Sequence, residues 1–254
     1  MRFTFLGTGT SGGVPALGCH CAVCESTDPH DKRLRTAGLL ETEDTRILID
    51  CGPDIRQQLM PMEFNQIDGV LLTHVHYDHV AGIDDLRPFC VYGPIGIYAD
   101  QHTGDRLHQS MPYCFGDHLY PGVPLLDLKT IEPHHPIMVG HVEVMPIQVM
   151  HALLPILGFR IGKMAYITDM RTINDTELPY LEGVETLVVN ALRFKPLHYS
   201  HMTVDEAIAF SRKIGVRHTY LVHMSHDVGL HKVVNNEILP EGFELAYDGL
   251  QIDV

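Results

Sequence analysis

Short runs of apolar and β-branched residues, separated by glycine, proline or polar turn residues, recur along the 254-residue chain. Such runs are typical of buried strands, because a helix needs a longer segment with a 3.6-residue period. Many short strands with scattered helices favour two packed sheets. The pattern predicts strands over residues 3–6, 46–50, 69–73, 96–98, 142–145, 158–161, 164–168, 186–189 and 219–222.

Two segments have helical character instead. The clearer one covers residues 203–214, where Thr203 and Glu206 have the spacing of a capping box. Its apolar face recurs every three to four residues, as in an amphipathic helix. The residues on that face are Val204, Ala207, Ile208 and Ser211. A second helix is expected over residues 230–239.

A cluster of metal-binding side chains follows the apolar strand 69–73. His74, His76, Asp78 and His79 give it the spacing H-x-H-x-D-H. At a strand end the first two histidines point the same way, whereas the aspartate and the last histidine lie past the turn and reach a second point. Imidazole with carboxylate suits zinc, manganese or iron. The cluster therefore predicts a metal site for two ions.

Three further potential ligands stand at the ends of predicted strands: His151, Asp169 and His223. Each alone has an ordinary explanation as a capped turn or a core histidine. Together with the H-x-H-x-D-H cluster they complete a set of seven. One ion would be held by His74, His76 and His151, the other by Asp78, His79 and His223, and Asp169 would bridge the two.

Two other turns are less specific. The strand over residues 46–50 ends in Asp50 before Gly52 and Pro53. This aspartate either orients a metal-bound histidine or simply forms the turn. The glycine-rich turn at residues 7–13 lets backbone approach a ligand, but a lone turn of this kind is weak evidence.

Composition narrows the class of protein. A chain of this length, with 45% apolar and 20% charged residues and no linker or repeat, is consistent with one domain over residues 1–254. No apolar run is long enough for a membrane span. The first residues lack a signal-peptide pattern, so we expect a cytoplasmic protein. The formal net charge of −14 makes nucleic acid an unlikely partner.

Six cysteines are present, and three of them form the group C-x-C-x-x-C at Cys19, Cys21 and Cys24. In a chain without an export signal, such a group favours a metal site over disulfides. Three thiolates are one ligand short of a closed tetrahedral zinc site. The group therefore predicts a fourth ligand elsewhere in the chain.

The seven ligands, in this order along the chain, resemble the metallo-β-lactamase superfamily. That resemblance implies an α+β fold, a four-layered αββα sandwich with the metal site at one edge between the sheets. Within the superfamily the chain is similar to PhnP-like cyclic phosphodiesterases, relatives of tRNase Z. The similarity lies in three places: the opening at residues 5–15, the segment 19–24, and the segment 197–203.

The PhnP-like resemblance implies roles for further residues. The fourth ligand of a structural zinc would be His226, three residues after His223. His201, two residues before the Thr203 helix cap, aligns with a histidine that acts in catalysis, although His198 or a purely structural loop remains an alternative. Asp78 would also have a catalytic role. Dimers occur in the family, so a homodimer is a further expectation from the resemblance.

These residues predict a metal-dependent phosphodiesterase, with a small cyclic phosphodiester or nucleotide-like ester favoured over a polymer as its substrate. Two Mn or Zn ions sharing a hydroxide would supply the nucleophile. His201, with an ordinary pKa near 6.5, would protonate the leaving alkoxide. Arg35 and Arg87 either hold phosphate or form surface ion pairs.

Three alternative functions remain open at this stage. A tRNase Z-like endonuclease shares the site, but the acidic net charge and the lack of a long basic insertion disfavour it. A thioesterase or lactonase is open because the same metal pair attacks carbonyl groups. A non-catalytic zinc-binding accessory protein would lack one of the ligands, and none is missing from this sequence.

Overall fold

The computed structural model describes residues 1–115 and 121–254. Every strand expected from the apolar pattern is present, and two of them are longer than expected because they form one extended hairpin, β8 with β9. The strands are Arg2–Gly7 (β1), Ala37–Glu41 (β2), Arg46–Ile49 (β3), Gly69–Leu71 (β4), Ile95–Ala99 (β5), Leu126–Thr130 (β6), Ile137–Val139 (β7), Val142–His151 (β8), Leu154–Ile161 (β9), Met164–Ile167 (β10), Thr186–Asn190 (β11), His218–Val222 (β12), Phe243–Leu245 (β13) and Gln251–Asp253 (β14).

The described strands form two mixed sheets of seven strands each. The first sheet has the order β14-β1-β2-β3-β4-β5-β6, and the second has the order β13-β12-β11-β10-β9-β8-β7. Strands β3 to β6 are parallel to one another, as are β10 to β13. The carboxyl ends of each parallel group therefore meet at one edge of their sheet.

Three apolar clusters show how the layers are stacked. One cluster lies between the sheets, because it combines Phe3 and Ile47 of the first sheet with Phe159 and Val188 of the second. A second cluster covers the outer face of the first sheet, and a third covers the outer face of the other. Both outer faces are packed against helices. This confirms the expected four-layered αββα sandwich.

Short helices cover the outer faces. The α-helices are Ile55–Leu59 (α1), Tyr77–Val80 (α2), Gln101–Ser110 (α3), Pro112–Phe115 (α4), Val204–Ile214 (α5) and His231–Val233 (α6), and 3-10 helices span Pro29–Asp31, Ile83–Tyr92, Asp175–Leu181 and His226–Val228. The capping box predicted for Thr203 and Glu206 is formed at the start of α5. The helix expected over residues 230–239 is α6 followed by a π-helical turn, Val234–Ile238. Within the described ranges, no helix combines the length and apolarity that crossing a bilayer requires.

Several residues directly after the strands of both sheets adopt left-handed backbone conformations. Asp50 after β3, Asp169 after β10 and His223 after β12 have φ values of 63°, 58° and 56°. Non-glycine residues adopt this conformation at an energetic cost, and such residues concentrate at functional sites. These turns bring the side chains of Asp50, Asp169 and His223 together around His79, at the carboxyl ends of the parallel strands.

Candidate metal centre

The first group of potential ligands consists of His74, His76 and His151. One nitrogen from each ring lies within 4.8 Å of the others, as metal binding requires. The His74 Nε2 atom is 2.9 Å from His76 Nδ1, and the ring of His151 is 5.1 Å from that of His76. His76 is exposed, whereas the other two are buried. This group therefore opens to solvent on the His76 side.

The second group, which is fully buried, consists of Asp78, His79, Asp169 and His223. His79 Nε2 lies 3.2 Å from Asp78 Oδ2, and His223 Nε2 lies 3.4 Å from the same oxygen. The two imidazole rings stack with centroids 5.7 Å apart. Two carboxylates and two imidazoles thus converge on a common point, as they would around one divalent cation.

Asp169 lies between the two groups. Its Oδ1 atom is 3.3 Å from His223 Nε2 and 3.5 Å from His79 Nε2, while its Oδ2 atom is 3.9 Å from His74 Nε2. The carboxylate is 2% exposed. Each oxygen thus faces one group, which is the arrangement expected of a carboxylate that bridges two ions.

The pKa shifts in the second group show that its carboxylates favour a positive charge beside them. Burial alone would raise the pKa of Asp169, but His223 and His79 outweigh burial and hold it well below its usual range. Burial disfavours a charged His79 as well, yet Asp50 and Asp169 raise its pKa well above the ordinary value. His79 Nε2 is buried and has no well-formed hydrogen bond within the described structure. A divalent cation would replace the proton and use that nitrogen, so the residues fit a metal.

Hydrogen bonds donated to neighbouring oxygen atoms fix the orientation of two of these imidazoles. His79 Nδ1 donates to Asp50 Oδ2 at 2.7 Å, and His151 Nδ1 donates to the carbonyl oxygen of Asp169 at 2.7 Å. With Nδ1 protonated, Nε2 of each ring is free to bind a metal. Asp50 therefore has the orienting role that was one of the two alternatives from sequence.

Sequence reasoning missed the residue that holds Asp50. The Thr73 hydroxyl lies 3.0 Å from both carboxylate oxygens of Asp50, and the Thr73 amide donates to Oδ1 at 2.9 Å. Its only signal in the sequence is a threonine directly before the first histidine, where β4 ends. Burial of both side chains makes these bonds strong determinants of the loop geometry.

His201 lies beside both ligand groups. It is 9% exposed, its ring centroid is 4.8 Å from that of His151, and its Nδ1 is 3.7 Å from Asp169 Oδ2. The expected pKa near 6.5 is not what the structure gives. Burial, with His223 beside it, lowers the pKa of His201 to about 3. The ring is therefore neutral at pH 7 in the absence of a ligand.

His198, the alternative to His201, is also close to the site. Its ring centroid is 5.0 Å from that of His201, and Ser200 N donates to its Nδ1 at 3.3 Å. It is only half-buried and lies on the outer side of His201. His201 is therefore the nearer of the two to the ligand groups.

The structure brings together the cysteine group and His226, the fourth ligand that the PhnP-like resemblance implied. Cys19, Cys21, Cys24 and His226 lie within 4.8 Å of one another by their ligand atoms, and His226 Nδ1 is 3.4 Å from Cys21 Sγ. The backbone amide of Cys24 and the nearby thiols lower the pKa of Cys21 to about 6. Three sulfurs and one imidazole suit a closed tetrahedral zinc site.

The two arginines considered as phosphate ligands are engaged elsewhere. Arg35 Nη1 donates to Asp54 Oδ1 at 2.8 Å, and its Nε donates to the Ser11 carbonyl. Arg87 donates to both oxygens of Asp84 at 2.9 Å. Both arginines therefore form ion pairs, which was the alternative to holding phosphate.

Comparison with known proteins agrees with this geometry. The sequence pattern of the Beta-lactamase superfamily domain matches residues 45–224. The chain is similar to the crystal structure of a diphosphatase from the PhnP family, with 36% identity and a TM-score of 0.91 over 100% of this chain and 97% of that one. It also superposes on zinc-bound PqqB from Methylobacterium extorquens, with 19% identity and a TM-score of 0.83 over the full length of both chains, which shows the fold alone.

One curated relative is considerably longer than this chain. An octanoyltransferase of Porphyromonas gingivalis is 45% identical over 252 residues, which cover 99% of this chain but 51% of that protein. The chain thus spans about half the length of that relative. With the metal-binding groups and the PhnP-family neighbour, the family match supports a hydrolase. The chain belongs to the β-lactamase superfamily, has the metallo-β-lactamase fold, and is a member of the PhnP family within it.

Proposed function

We propose that this protein is a metal-dependent hydrolase of a small phosphodiester or diphosphate. The observation that carries the proposal is the position of His201. Its Nδ1 stands 3.7 Å from Asp169 Oδ2, outside the two ligand groups, although it also lies within ligand distance of His151 and Asp169. A hydrolase of activated acyl groups has less need of a proton donor at this place. The diphosphatase of the PhnP family gives independent support.

In this proposal each residue has a defined task. His74, His76 and His151 would hold one divalent ion, Asp78, His79 and His223 would hold the other, and Asp169 would bridge the two. Zinc and manganese both suit this ligand set. When bound, two such ions activate a water molecule and offset the charge that grows on the phosphoryl group.

His201 donates the proton that the leaving oxygen requires. Burial lowers the pKa of His201 to about 3 in the metal-free site, so the ring can act as an acid only if it takes up a proton before the leaving group departs. A phosphoryl anion beside the ring would raise the pKa, since an opposite charge within about 4–6 Å favours the protonated form.

A small substrate is favoured over a polymer. The chain carries 18 basic against 32 acidic residues, and this net charge of −14 disfavours binding to a nucleic-acid backbone. The exposed His76 marks the open side of the site, where a small anion can reach the two ligand groups. Cyclic nucleotides and nucleoside diphosphates are therefore suitable first substrates.

A second candidate is hydrolysis of an acyl thioester. It is favoured by the octanoyltransferase relative, whose name refers to an acyl group. This chain matches about half of that protein, so the named activity can reside in the other half. The thioesterase candidate therefore needs a direct assay.

One substrate panel separates the candidates. Protein loaded with zinc or manganese is assayed on bis-nitrophenyl phosphate, a 2′,3′-cyclic nucleotide, a nucleoside diphosphate, a short RNA and an octanoyl thioester. We expect metal-dependent turnover of the small phosphate esters, abolished in His151→Ala and unchanged in His141→Ala, which alters a surface histidine. Turnover of the thioester alone would overturn the proposal, and faster cleavage of RNA than of the small esters would replace it with a nuclease.

A further inference from the structure

The position of His201 depends on contacts that follow it in the chain. The loop before it is exposed, with Leu197 at 70% and Tyr199 at 73%. In the described structure, the hydrogen bonds found for residues 197–200 stay within that segment, between Ser200 and His198. The preceding loop therefore holds His201 only weakly.

On the other side, His201 is tied to the turn that carries Asp169. The Met202 amide donates to the carbonyl oxygen of Met170 at 3.2 Å. Met170 is itself held by Asn190 at the end of β11, whose side chain accepts from the Met170 amide at 2.7 Å and donates to its carbonyl at 3.0 Å. Asn190 is completely buried. The residues next to Asp169 and His201 are thus bound to each other on a rigid support.

A second tie runs through side chains at the start of α5. Arg171 Nη1 donates to Glu206 Oε1 at 2.7 Å. The other oxygen of Glu206 accepts from the Thr203 amide at 2.9 Å and from its hydroxyl at 3.0 Å. Glu206 therefore connects Thr203, two residues after His201, with Arg171, two residues after Asp169. The pair is partly exposed, with side chains at 25% and 32%.

We infer that the Arg171–Glu206 ion pair is a positioning device that holds His201 at its working distance from Asp169. Neither residue touches the ligand groups, so both act through the segments that they connect. A partly exposed ion pair contributes little to global stability. Its importance lies in geometry, because a misplacement of about 1 Å at a reacting group can lower a rate about a hundredfold. The inference rests on the proposed function for its kinetic consequence.

The test compares two substitutions that leave the helix cap intact. Arg171→Met removes the ion pair but keeps Thr203 and Glu206, and Glu206→Gln keeps an acceptor for the Thr203 amide, as a capping box allows. We expect each to lower kcat on an alkyl phosphodiester about tenfold to a hundredfold. On a nitrophenyl ester, whose leaving group needs no proton, the loss should be below about threefold, with KM and metal content unchanged. The double variant should be no worse than Arg171→Met.

Lys163→Met provides the matched control. It breaks a 2.6 Å surface ion pair with Glu185, far from the site in the fold, and should change none of these quantities. Arg171→Lys should restore part of the kcat. Equal losses on both substrates, or loss of bound metal, would show a general structural role and overturn the inference while leaving the proposed function intact.

A readout independent of activity completes the test. In crystals of metal-loaded Arg171→Met, we expect the His201 side chain to move away from Asp169 or to occupy two positions, while the ligand groups keep their places. An unchanged His201 would overturn the inference. If the wild-type protein hydrolysed no phosphate ester, the proposed function would fail, and this structural comparison would still decide whether the ion pair positions His201.

Discussion

His79 donates through Nδ1 to Asp50, at 2.7 Å, and this bond turns Nε2 towards the carboxylates of Asp78 and Asp169. The aspartate is completely buried and also accepts from Thr73. In Asp50→Asn, the new side-chain NH₂ group would face a group that donates to Asp50 in the wild type, either His79 Nδ1 or Thr73. We expect affinity for one of the two ions to fall roughly 10-fold to 100-fold, the usual effect of losing such a partner.

Titration of metal-free protein with zinc, followed by calorimetry, measures this change. Asp44→Asn, which alters a surface carboxylate, is the control. If Asp50→Asn bound zinc at both His/Asp groups with the wild-type affinities, Asp50 would only shape the turn.

The second prediction concerns Gly52, which follows the strand end that carries Asp50. A Cβ at this position would overlap the carbonyl oxygen of Asp78, a backbone atom that cannot move without moving a ligand. Gly52→Ala should lower the free energy of unfolding by roughly 1–3 kcal/mol, as overpacking does, and should weaken metal binding. Gly12→Ala is the matched control, because a Cβ there meets nothing within 4 Å. Urea unfolding with and without zinc gives both quantities, and a Gly52→Ala protein as stable as the control would contradict the packing argument.

The third prediction concerns His201 as the proton donor. His201→Ala should lower kcat by roughly 10²- to 10⁴-fold on an ester with an alkoxide leaving group, and much less on a nitrophenyl ester. His198→Ala should show a smaller difference between the two substrates, because its ring lies outside that of His201. Steady-state kinetics on both esters distinguish the two residues. Equal losses on both substrates for His201→Ala would remove the general-acid assignment.

The fourth prediction concerns the cysteine group. Cys24→Ser should reduce bound zinc by about one ion per chain and lower Tm, because a structural zinc site contributes directly to folding. The His/Asp groups should still bind their ions. Metal analysis by mass spectrometry after gentle purification measures the count, with Cys90→Ser as a control outside the group. A zinc count that stays the same in Cys24→Ser would show that these thiols are simply reduced cysteines.

The fifth prediction is a pH dependence of stability that involves His231. Burial, with Arg33 beside the ring, lowers its pKa from 6.5 to about 4. Arg33 Nη2 lies 3.2 Å from His231 Nδ1, which must accept and so be unprotonated. The folded state favours the neutral His231 ring. The contribution of this ring to the free energy of unfolding is therefore complete above pH 6.5 and is lost as the pH falls from 6.5 towards 4.

His231→Gln removes that titration. Between pH 7 and pH 4.5 the wild-type protein should therefore lose more unfolding free energy than the variant, measured by urea denaturation. His141→Gln, at an exposed position, should follow the wild-type curve. Parallel curves for wild type and His231→Gln would contradict the prediction.

The sequence determined the parts of the fold that depend on local pattern. Apolar runs between turn formers located the central strands, such as β4 and β12, because buried strands need continuous apolar residues. The capping box at Thr203 located the start of α5. The edge strands β6 and β14 were missed, since their exposed, polar residues lack that pattern. The three-residue edge strands β7 and β13 were missed too, and so was β2, an interior strand of buried residues. The extension of β8 to His151 was missed as well, because its pairing with β9 is a contact between strands.

The candidate metal ligands could also be named from the sequence, and the structure brings their ligand atoms together in groups that could hold ions. What only the tertiary structure decided is how they are held. The bond from His79 to Asp50, the ties from Met170 to Asn190 and Met202, and the lowered pKa of His201 all join segments that are distant in the chain. Burial and the charges of spatial neighbours set these properties, and a linear pattern of residue types contains neither.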